Sequence, residues 1–376
     1  MSMPFDEREG VVVLGGTGSI GHNTLAVLAT MPDRFRLEAA TCRRSLEKLA
    51  ELTKDFPSAK IFCAERPQDS TLPDEEAVLE LIRSDRVGTV VCAIQGISAL
   101  KFVLAALEAG KRVCLATKEV MVAAGEWVTE VARKCGGKIL PVDSEHCAVF
   151  QCLNGEKKAA LKKIWLTCSG GPFHSHPEVD LHSVTPEQAL RHPTWNMGTK
   201  ITLDCATLMN KALEILEAAW LFGATEEQIG VVIHPQSMVH SMVEYRDGAV
   251  LAQCGPTDMK LPIQYCLTYP ERCPSFMKPL DFTQAMRWDF LPPDTKRFPA
   301  LELARKVLCM GGAAGAVFNA ANDLALTRFL KHEIAFDEIV QAVAAALESA
   351  PRSAPHSFEE IAMAKALAEK VVAAWR

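Results

Sequence analysis

The sequence lacks several patterns that would assign a chain of this size to a specialised class. No apolar run approaches the ~20 residues that a membrane-spanning helix needs. The net charge is −6, so the chain also lacks the basic balance that is typical of nucleic-acid-binding proteins. These absences favour a globular protein with no membrane or nucleic-acid partner, and the length of 376 residues predicts two or three domains.

The 13 cysteines include no C-x-x-C pair, which argues against a zinc ribbon. Their number is odd and most of them lie in apolar segments, so a disulfide framework is not expected either. The N-terminal ten residues lack the basic and apolar regions of a signal peptide. We therefore expect a cytoplasmic protein whose thiols are reduced and mostly buried.

Strand and helix patterns alternate from residue 11 to about residue 145. The predicted strands, which are short apolar or β-branched runs, are 11–15, 36–41, 89–94, 112–117 and 138–142. The predicted helices are 20–30, 45–53, 73–84, 99–109 and 124–135. This alternation predicts an α/β fold whose N-terminal domain, residues 1–145, is a Rossmann-type doubly wound parallel sheet.

The pattern changes after residue 145, and residues 146–268 predict a central α+β domain. Its predicted elements are strands at 163–167, 230–233 and 241–254 and one long helix at 204–222. Asp247 and Gly248 interrupt the last strand with a hairpin signal. Proline-containing residues 269–294 predict a linker. Residues 295–376 predict a C-terminal helical bundle, with helices at 299–309, 313–330, 336–348 and 357–375.

A glycine-rich turn follows the first predicted strand and opens the first predicted helix. Gly16, Gly18 and Gly21 fit the spacing G-x-G-x-x-G. Glycines allow the backbone to approach a pyrophosphate, and the helix N-terminus supplies amide donors. Because the turn lies in a strand–turn–helix context, we favour a dinucleotide site over a plain tight turn.

The second predicted strand ends in Arg43, Arg44 and Ser45, where NAD-binding proteins usually place an acidic residue. Two arginines and a hydroxyl suit a 2′-phosphate instead. Arginines exposed to solvent at a helix start are the alternative. We favour NADP(H) as the cofactor.

Two carboxylates flank a hydroxyl at the end of the last predicted strand, in Asp143-Ser144-Glu145. Carboxylate oxygens are the ligands that Mg²⁺ or Mn²⁺ prefers, and strand ends carry chemistry in α/β folds. The same three residues are also a good helix N-cap sequence before an apolar run. On these residues alone, the cap interpretation is favoured over a metal site.

Beyond its first turn, the predicted helix 204–222 is apolar except for a narrow polar stripe. Its members are Thr207, Asn210, Lys211, Glu214 and Glu217. Helical spacing places them on one face, which is either solvent-exposed or a buried polar site. The loop before this helix, about residues 183–200, includes His192, Trp195 and Gly198. It is interpreted either as a mobile lid that covers a ligand or as a loop that docks its tryptophan on the protein.

These motifs occur in the same order in one family, and the match runs nearly end to end. The matching blocks are Gly15-Gly-Thr-Gly-Ser-Ile-Gly21, Ala116-Thr-Lys-Glu119, Pro141-Val-Asp-Ser-Glu-His146, Ser169-Gly-Gly-Pro-Phe173, His192 to Gly198, Asp204 to Glu214, His234-Pro-Gln-Ser237 and Phe318-Asn-Ala-Ala-Asn-Asp323. The chain thus resembles the 1-deoxy-D-xylulose 5-phosphate reductoisomerase family. The resemblance implies an NADPH- and metal-dependent enzyme that converts this ketose phosphate to 2-C-methyl-D-erythritol 4-phosphate in the non-mevalonate isoprenoid pathway.

The resemblance also assigns roles to residues by position. The implied ligands of Mg²⁺, Mn²⁺ or Co²⁺ are Asp143, Glu145 and Glu214, which with Lys118 form the implied catalytic set. The implied substrate-binding residues are Lys118, Ser144, Glu145, Ser169, His192, Trp195, Cys205, Asn210, Lys211 and Glu214. The implied NADPH-binding residues are Thr17, Gly18, Ser19, Ile20, Arg43, Arg44, Ser45, Thr117, Glu119 and Gly198. A homodimer is the family expectation.

Three positions depart from the family pattern. Cys205 stands where the family usually has serine in its phosphate pocket, Thr117 where asparagine is usual, and Gly16 where serine is usual. A thiol is a weaker donor than a hydroxyl, so Cys205 is expected to lower the affinity for substrate. None of the three removes an implied metal ligand. The alternatives are an NADP oxidoreductase that acts on another phosphorylated ketose and a non-catalytic NADP-binding sensor.

Overall fold

The computed structural model describes residues 8–65, 74–192, 195 and 197–375 of the chain. The chain forms two compact units, each assembled from segments that are separate in the sequence. Unit 1 is Met1–Val120, Val128–Cys147 and Asp258–Lys278, and unit 2 is Met121–Trp127, Ala148–Thr257 and Pro279–Arg376. None of the helices in the described part combines the length and the apolar character that crossing a bilayer requires.

Unit 1 contains a six-stranded parallel sheet with the order β3-β2-β1-β4-β5-β6. The strands are β1 (Glu9–Leu14), β2 (Phe35–Cys42), β3 (Lys60–Cys63), β4 (Thr89–Cys92), β5 (Arg112–Leu115) and β6 (Lys138–Pro141). Val11 to Leu14 are fully buried, as expected for a parallel sheet that is covered on both faces. The strand order reverses between β1 and β4, where folds of this class bind nucleotides. The predicted doubly wound sheet is confirmed.

The helices complete both units. In chain order they are α1 (Ser19–Ala29), α2 (Leu46–Leu52), α3 (Glu75–Arg83), α4 (Leu100–Glu108), α5 (Lys118–Cys135), α6 (Ser144–Leu153), α7 (Pro186–Ala189), α8 (Thr199–Ala206), α9 (Met209–Phe222), α10 (Lys260–Thr268), α11 (Ala300–Met310), α12 (Ala314–Leu330), α13 (Glu338–Leu347) and α14 (Phe358–Ala374). Helix α5 starts six residues before its predicted start at residue 124, and Ala124 is non-helical within it. Lys118 and Glu119 therefore lie in the first turn of a helix.

Unit 2 contains a four-stranded mixed sheet with the order β10-β9-β7-β8. Its strands are β7 (Leu161–Cys168), β8 (Ile229–Ile233), β9 (Val239–Tyr245) and β10 (Val250–Cys254). Strand β7 pairs parallel with β8 and antiparallel with β9. Strands β9 and β10 form the predicted hairpin, whose turn Asp247 stabilises by accepting a hydrogen bond from the Ala249 amide at 2.9 Å.

The single long helix predicted for residues 204–222 is wrong, because two helices occupy this region. Helix α8 ends at Ala206, Leu208 adopts a left-handed backbone conformation with φ 58°, and α9 begins at Met209. A left-handed conformation is uncommon for a branched residue and ends an α-helix. The Thr207 hydroxyl accepts a hydrogen bond from the Met209 amide at 3.3 Å. The break places Asn210 and Lys211 in the first turn of α9 instead of mid-helix.

The four C-terminal helices lie within two residues of their predicted bounds. Helix α12 packs against α13 and α14, and α11 packs against α9 and α12 within unit 2. Residues 269–294 contain no helix or strand among the described residues apart from an isolated bridge between Ile233 and Leu291. The helical region and the irregular segment before it are as predicted. The assignment of domain boundaries at residues 145, 268 and 294 stays a prediction.

Candidate functional site

The glycine-rich turn joins β1 to α1 in unit 1. Gly15 has φ 84°, and a Cβ at Gly21 would lie 2.2 Å from the Gly15 carbonyl oxygen. The Gly16 amide donates to the Thr41 carbonyl at 2.7 Å, so the turn is held against the end of β2. Gly18 is exposed and no side chain caps α1. Only glycine fits this close approach, and the helix N-terminus stays open to an anion.

Two exposed arginines extend from the end of β2. Arg43 and Arg44 both form ion pairs with Glu65, which follows β3. Ser45 is the N-cap residue of α2, and the Lys48 ammonium donates to the Thr17 carbonyl at 3.0 Å. A cluster of cationic side chains therefore lies beside the glycine-rich turn, as a dinucleotide with an additional phosphate requires.

Thr117 is the N-cap residue of α5, and its side chain is directed into the sheet. Its hydroxyl donates to the Ile94 carbonyl at 2.5 Å, at the end of β4. Thr117 is buried, and so is Glu119. This hydrogen bond engages the hydroxyl proton of Thr117, while the predicted contacts of Thr117 and Glu119 with the cofactor stay predictions.

Asp143 is both a helix cap and part of a charged cluster. Its Oδ1 accepts a hydrogen bond from the Glu145 amide at 3.2 Å, and its carbonyl accepts one from the Cys147 amide at 2.8 Å. Its Oδ2 lies 2.9 Å from the ammonium of Lys118, a buried side chain at the start of α5. The cap interpretation of Asp143 is thus correct, and capping leaves its carboxylate beside a cation.

Three neighbours of Asp143 complete this cluster in unit 1. The Ser144 hydroxyl donates to Oε2 of Glu145, and Nδ1 of the fully buried His146 lies 3.3 Å from Oδ1 of Asp143. Lys118, Ser144 and Glu145 thus come together around Asp143 as the sequence predicts. His146 had been assigned no role, because a single histidine on an apolar helix carries no sequence signal of its own.

In unit 2, Lys211 and Glu214 form a buried ion pair on α9. Their side chains are 2% and 1% exposed, and Asn210 donates to the other Glu214 oxygen at 2.6 Å. The alternative that the polar stripe is a solvent-exposed face is wrong. Taking two charges out of water carries a large desolvation cost, so such a pair on an otherwise apolar helix indicates a functional role.

The Ser169-Gly170-Gly171 turn follows β7 and lies against the end of α8. Both glycines have positive φ, and a Cβ at Gly171 would lie 2.6 Å from the Cys205 carbonyl oxygen. The Gly171 amide lies within 3.4 Å of the Ser169 hydroxyl oxygen. The structure therefore brings Ser169 and Cys205, two of the predicted phosphate ligands, onto adjacent backbone segments.

His192 connects the predicted lid to this turn. Its Nδ1 accepts a hydrogen bond from the Trp195 amide at 2.9 Å, so its Nε2 carries the proton and donates to the Ser169 hydroxyl at 3.0 Å. Burial lowers the pKa of His192. The neutral imidazole leaves the Ser169 hydroxyl proton available for another acceptor. Of the predicted lid, positions 193, 194 and 196 lie outside the described residues.

One buried polar contact had not been predicted. Asp204, on α8, accepts a hydrogen bond from Asn322 of α12 at 2.7 Å and one from Lys200 at 2.8 Å. Asp204 and Asn322 are 2% and 0% exposed. This contact holds α8, the helix that begins after Gly198 and carries Cys205. Asn322 lies in the Phe318–Asp323 block, but sequence alone does not show which side chain it meets.

Family comparisons cover almost the whole chain. A model described as 1-deoxy-D-xylulose 5-phosphate reductoisomerase matches residues 11–125, and two models of C-terminal domains of that enzyme match residues 139–222 and 254–371. A relative of that name from Symbiobacterium thermophilum is 46% identical over 357 residues, which cover 91% of this chain and 92% of the relative. The chain belongs to the 1-deoxy-D-xylulose 5-phosphate reductoisomerase family. A relative from Cupriavidus pinatubonensis is 45% identical over 96% of this chain and 95% of its own length.

Solved structures of the family agree with this assignment. A reductoisomerase in complex with NADPH, fosmidomycin and magnesium has a TM-score of 0.90 and 38% identity, covering 97% of this chain and 98% of its own. The enzyme from Zymomonas mobilis in complex with NADPH has a TM-score of 0.90 and 37% identity, covering 98% of this chain and 100% of its own. The predicted fold class is confirmed.

Proposed function

We propose that this protein catalyses the NADPH- and divalent-metal-dependent conversion of 1-deoxy-D-xylulose 5-phosphate to 2-C-methyl-D-erythritol 4-phosphate, a step of isoprenoid biosynthesis. The observation that carries this proposal is family membership at 46% identity over 91% of the chain. The relatives from Symbiobacterium thermophilum and Cupriavidus pinatubonensis bear the name of this enzyme, and a solved relative binds NADPH and magnesium.

The nucleotide-binding residues fit NADPH. Gly21 packs so closely against the Gly15 carbonyl that no side chain fits at that position. The N-terminus of α1 lies beside this turn and has no side-chain cap. We propose that Thr17, Gly18, Ser19 and Ile20 contact the pyrophosphate and that Arg43, Arg44 and Ser45 contact the 2′-phosphate. Thr117, Glu119 and Gly198 are proposed to contact the rest of the cofactor. Bound NADPH supplies the hydride of the reduction.

The carboxylates fit a hard divalent cation. We propose that Asp143, Glu145 and Glu214 bind one Mg²⁺, Mn²⁺ or Co²⁺, since carboxylate oxygens are the preferred ligands of such ions. When bound, the ion supplies Lewis acidity at the substrate ketone and its neighbouring hydroxyl. Lys118 and Lys211 already pair with Asp143 and Glu214, so each half of the ligand set has a balancing charge.

The remaining polar groups are proposed to hold the substrate. Ser169, Cys205, Asn210 and Lys211 would donate to its phosphate, and the neutral His192 orients the Ser169 hydroxyl for this. Lys211 is a buried cation at the start of α9, and its ammonium would attract a phosphate oxygen. The break at Leu208 supports this role, because a helix N-terminus favours anions.

Two further groups are proposed to act on the sugar chain of the substrate. Ser144 and Lys118 lie beside Asp143 and Glu145, where they would bind and orient its hydroxyls. Trp195 would cover the bound substrate and exclude water from the reacting carbons, as the lid interpretation of its loop requires.

We also propose that residues 1–145 form the NADPH-binding domain and 146–268 the catalytic domain, followed by a linker and a helical domain from residue 295.

One assay tests the proposed reaction. NADPH oxidation is followed at saturating 1-deoxy-D-xylulose 5-phosphate, with Mn²⁺ and after chelation of the metal. We expect turnover with Mn²⁺ that stops on chelation and returns when metal is added back. NADPH binding without any turnover would identify a non-catalytic sensor, and turnover restricted to another phosphorylated ketose would identify a different substrate.

We propose that the protein is a homodimer in the cytoplasm and that β10 contributes to its interface. Strand β10 is an edge strand, and its residues Val250 and Leu251 are 49% and 47% exposed. Exposed apolar edge strands favour pairing with another strand, and a second copy of β10 would extend the sheet symmetrically.

Mass measurement in solution tests the dimer. Wild type is expected at about twice the chain mass of 41.1 kDa, and Leu251→Lys at the monomer mass, because a lysine blocks edge pairing. Leu330→Lys, at a residue of similar exposure on α12, is the matched control and should stay dimeric. An unchanged mass for Leu251→Lys would exclude β10 from the interface.

A further inference from the structure

The ends of β2 and β3 stay paired beyond the last residues of the two strands. Cys42 is in register with Cys63, the Ala64 amide donates to the Cys42 carbonyl at 3.0 Å, and the Glu65 amide donates to the Arg43 carbonyl at 2.8 Å. The main chain therefore fixes Glu65 directly beside Arg43. Sheet register thus sets the backbone position from which the Glu65 side chain extends.

The Glu65 carboxylate bridges the two arginines, with one oxygen for each. Oε1 accepts from Nε of Arg43 at 2.6 Å, and Oε2 accepts from Nε of Arg44. The side-chain hydrogen bonds from Arg44 and Arg43 lower the pKa of Glu65. Because Glu65 stays ionised, it holds both guanidinium groups at neutral pH.

The contacts with Glu65 leave the outer faces of the guanidinium groups accessible. Among the described residues, the Nη groups of Arg43 and Arg44 have no hydrogen-bond partner, and the side chains are 75% and 69% exposed. The two Nη atoms of a guanidinium form the fork that binds phosphate in a bidentate manner. Glu65 thus engages the arginines without occupying the groups that a phosphate uses.

We propose that Glu65 is a positioning residue that presents Arg43 and Arg44 to the 2′-phosphate of NADPH and thereby strengthens the preference for NADPH over NADH. This inference rests on the proposed function, which places the 2′-phosphate at these arginines. Long side chains lose rotamer freedom when they bind a ligand, and Glu65 restricts that freedom in advance. Two arginines and one glutamate leave a local charge of +1, which still attracts a phosphate dianion.

If the same carboxylate instead competes with the phosphate, its removal should change the affinity for NADPH in the opposite direction. If Glu65 mainly competed with the phosphate or repelled it, removing the carboxylate would strengthen NADPH binding. If Glu65 positions the arginines, removing it weakens NADPH binding and leaves NADH binding unchanged. The direction of one affinity change therefore decides between the two roles.

Cofactor titrations of the full-length protein provide the test. For Glu65→Ala we expect Kd for NADPH to rise about 5- to 10-fold and Kd for NADH to change less than about 2-fold, since ordering two long side chains has an effect of this size. Glu65→Gln should lie between, because the amide keeps one acceptor oxygen where the carboxylate has two. The KM for NADPH should rise in parallel while kcat stays unchanged.

Two controls separate positioning from general electrostatics. Glu47→Ala removes the same charge from α2, at an exposed residue that forms no ion pair with either arginine, and should leave both affinities unchanged. In an Arg43→Ala/Arg44→Ala background, Glu65→Ala should have no further effect on NADPH binding. Melting temperatures and NADH affinities of all variants report on folding.

Three results would overturn the inference. Tighter or unchanged NADPH binding by Glu65→Ala would assign Glu65 a competing role or none. An effect of Glu65→Ala that persists without the two arginines would show that it acts elsewhere. A wild-type protein that binds NADPH no better than NADH would refute the proposed cofactor itself, and the role of Glu65 with it.

Discussion

Two charged groups on this chain differ in almost every physical respect. The arginine cluster at the end of β2 is exposed, and its ion pairs with Glu65 lie in water. The Lys211–Glu214 pair on α9 is almost completely buried in unit 2. Exposed ion pairs are screened and stabilise a fold little, whereas a buried charge depends on its partner. The first group is therefore expected to govern binding, and the second to govern both folding and catalysis.

The largest effect is expected when the buried pair is broken. Lys211→Met removes the cation that pairs with the buried Glu214 carboxylate, so the free energy of unfolding should fall by about 3–5 kcal/mol. Arg44→Ala, the matched change in the exposed cluster, should leave it unchanged within the error of the measurement. Urea denaturation of both variants measures the difference. Equal stability of the two variants would refute the contrast between the two groups.

The next largest effect concerns catalysis. Glu214→Gln keeps the size of the side chain and removes a proposed metal ligand, so kcat should fall at least ~100-fold through loss of electrostatic stabilisation. Glu302→Gln, at an exposed residue of α11 in the same unit, is the control and should retain the wild-type kcat. Near-wild-type turnover of Glu214→Gln would show that the metal assignment is wrong.

A smaller effect is expected in the phosphate pocket. Cys205→Ser restores the hydroxyl that the family usually has, and one neutral hydrogen bond contributes about 0.5–1.5 kcal/mol. We expect KM for the substrate to fall by up to about tenfold with kcat unchanged. Cys254→Ser on β10 is the control. An unchanged KM for Cys205→Ser would show that position 205 does not contact the phosphate.

The smallest effect is a pH dependence at His192. Burial lowers its pKa from the usual 6.5, so the folded state favours the neutral ring that bonds Ser169 and Trp195. The unfolded chain binds the proton first as pH falls, so this stabilisation is present above pH 6.5 and is lost as pH falls through the folded-state pKa.

The melting temperature of wild type should therefore decrease more than that of His192→Gln between pH 8 and pH 5. His22→Gln, at an exposed histidine of α1, should follow the wild-type profile. Parallel profiles for wild type and His192→Gln would contradict the assignment.

Much of the fold was accessible from sequence because its signals are local. Apolar runs and a glycine turn predict β1 and α1, and helical periodicity predicts the C-terminal helices to within two residues. Local sequence does not mark strand β3, Lys60–Cys63, which is recognised by its pairing with β2. The break at Leu208 was missed because neither glycine nor proline marks it. Helix α10 was missed because its apolar residues show little periodicity.

The sequence predicts which residue types form the candidate site better than it predicts their burial and their contacts. Helical spacing predicts the polar stripe on α9 but not its burial, because burial depends on the α11 helix that packs against it. Asp143 was interpreted as a cap or a ligand, and the structure shows the cap while leaving its carboxylate beside Lys118. Glu65 was not identified, since its role depends on the unpredicted β3.

Metal titration tests the central claim, that Asp143, Glu145 and Glu214 bind one divalent ion. Mn²⁺ binding to the full-length protein is measured for wild type, for Asp143→Asn, Glu145→Gln and Glu214→Gln, and for the Glu302→Gln control. We expect one Mn²⁺ per chain and an affinity at least about tenfold lower in each of the three variants, with the control unchanged. Wild-type Mn²⁺ affinity in Glu214→Gln would contradict a single site built from all three carboxylates.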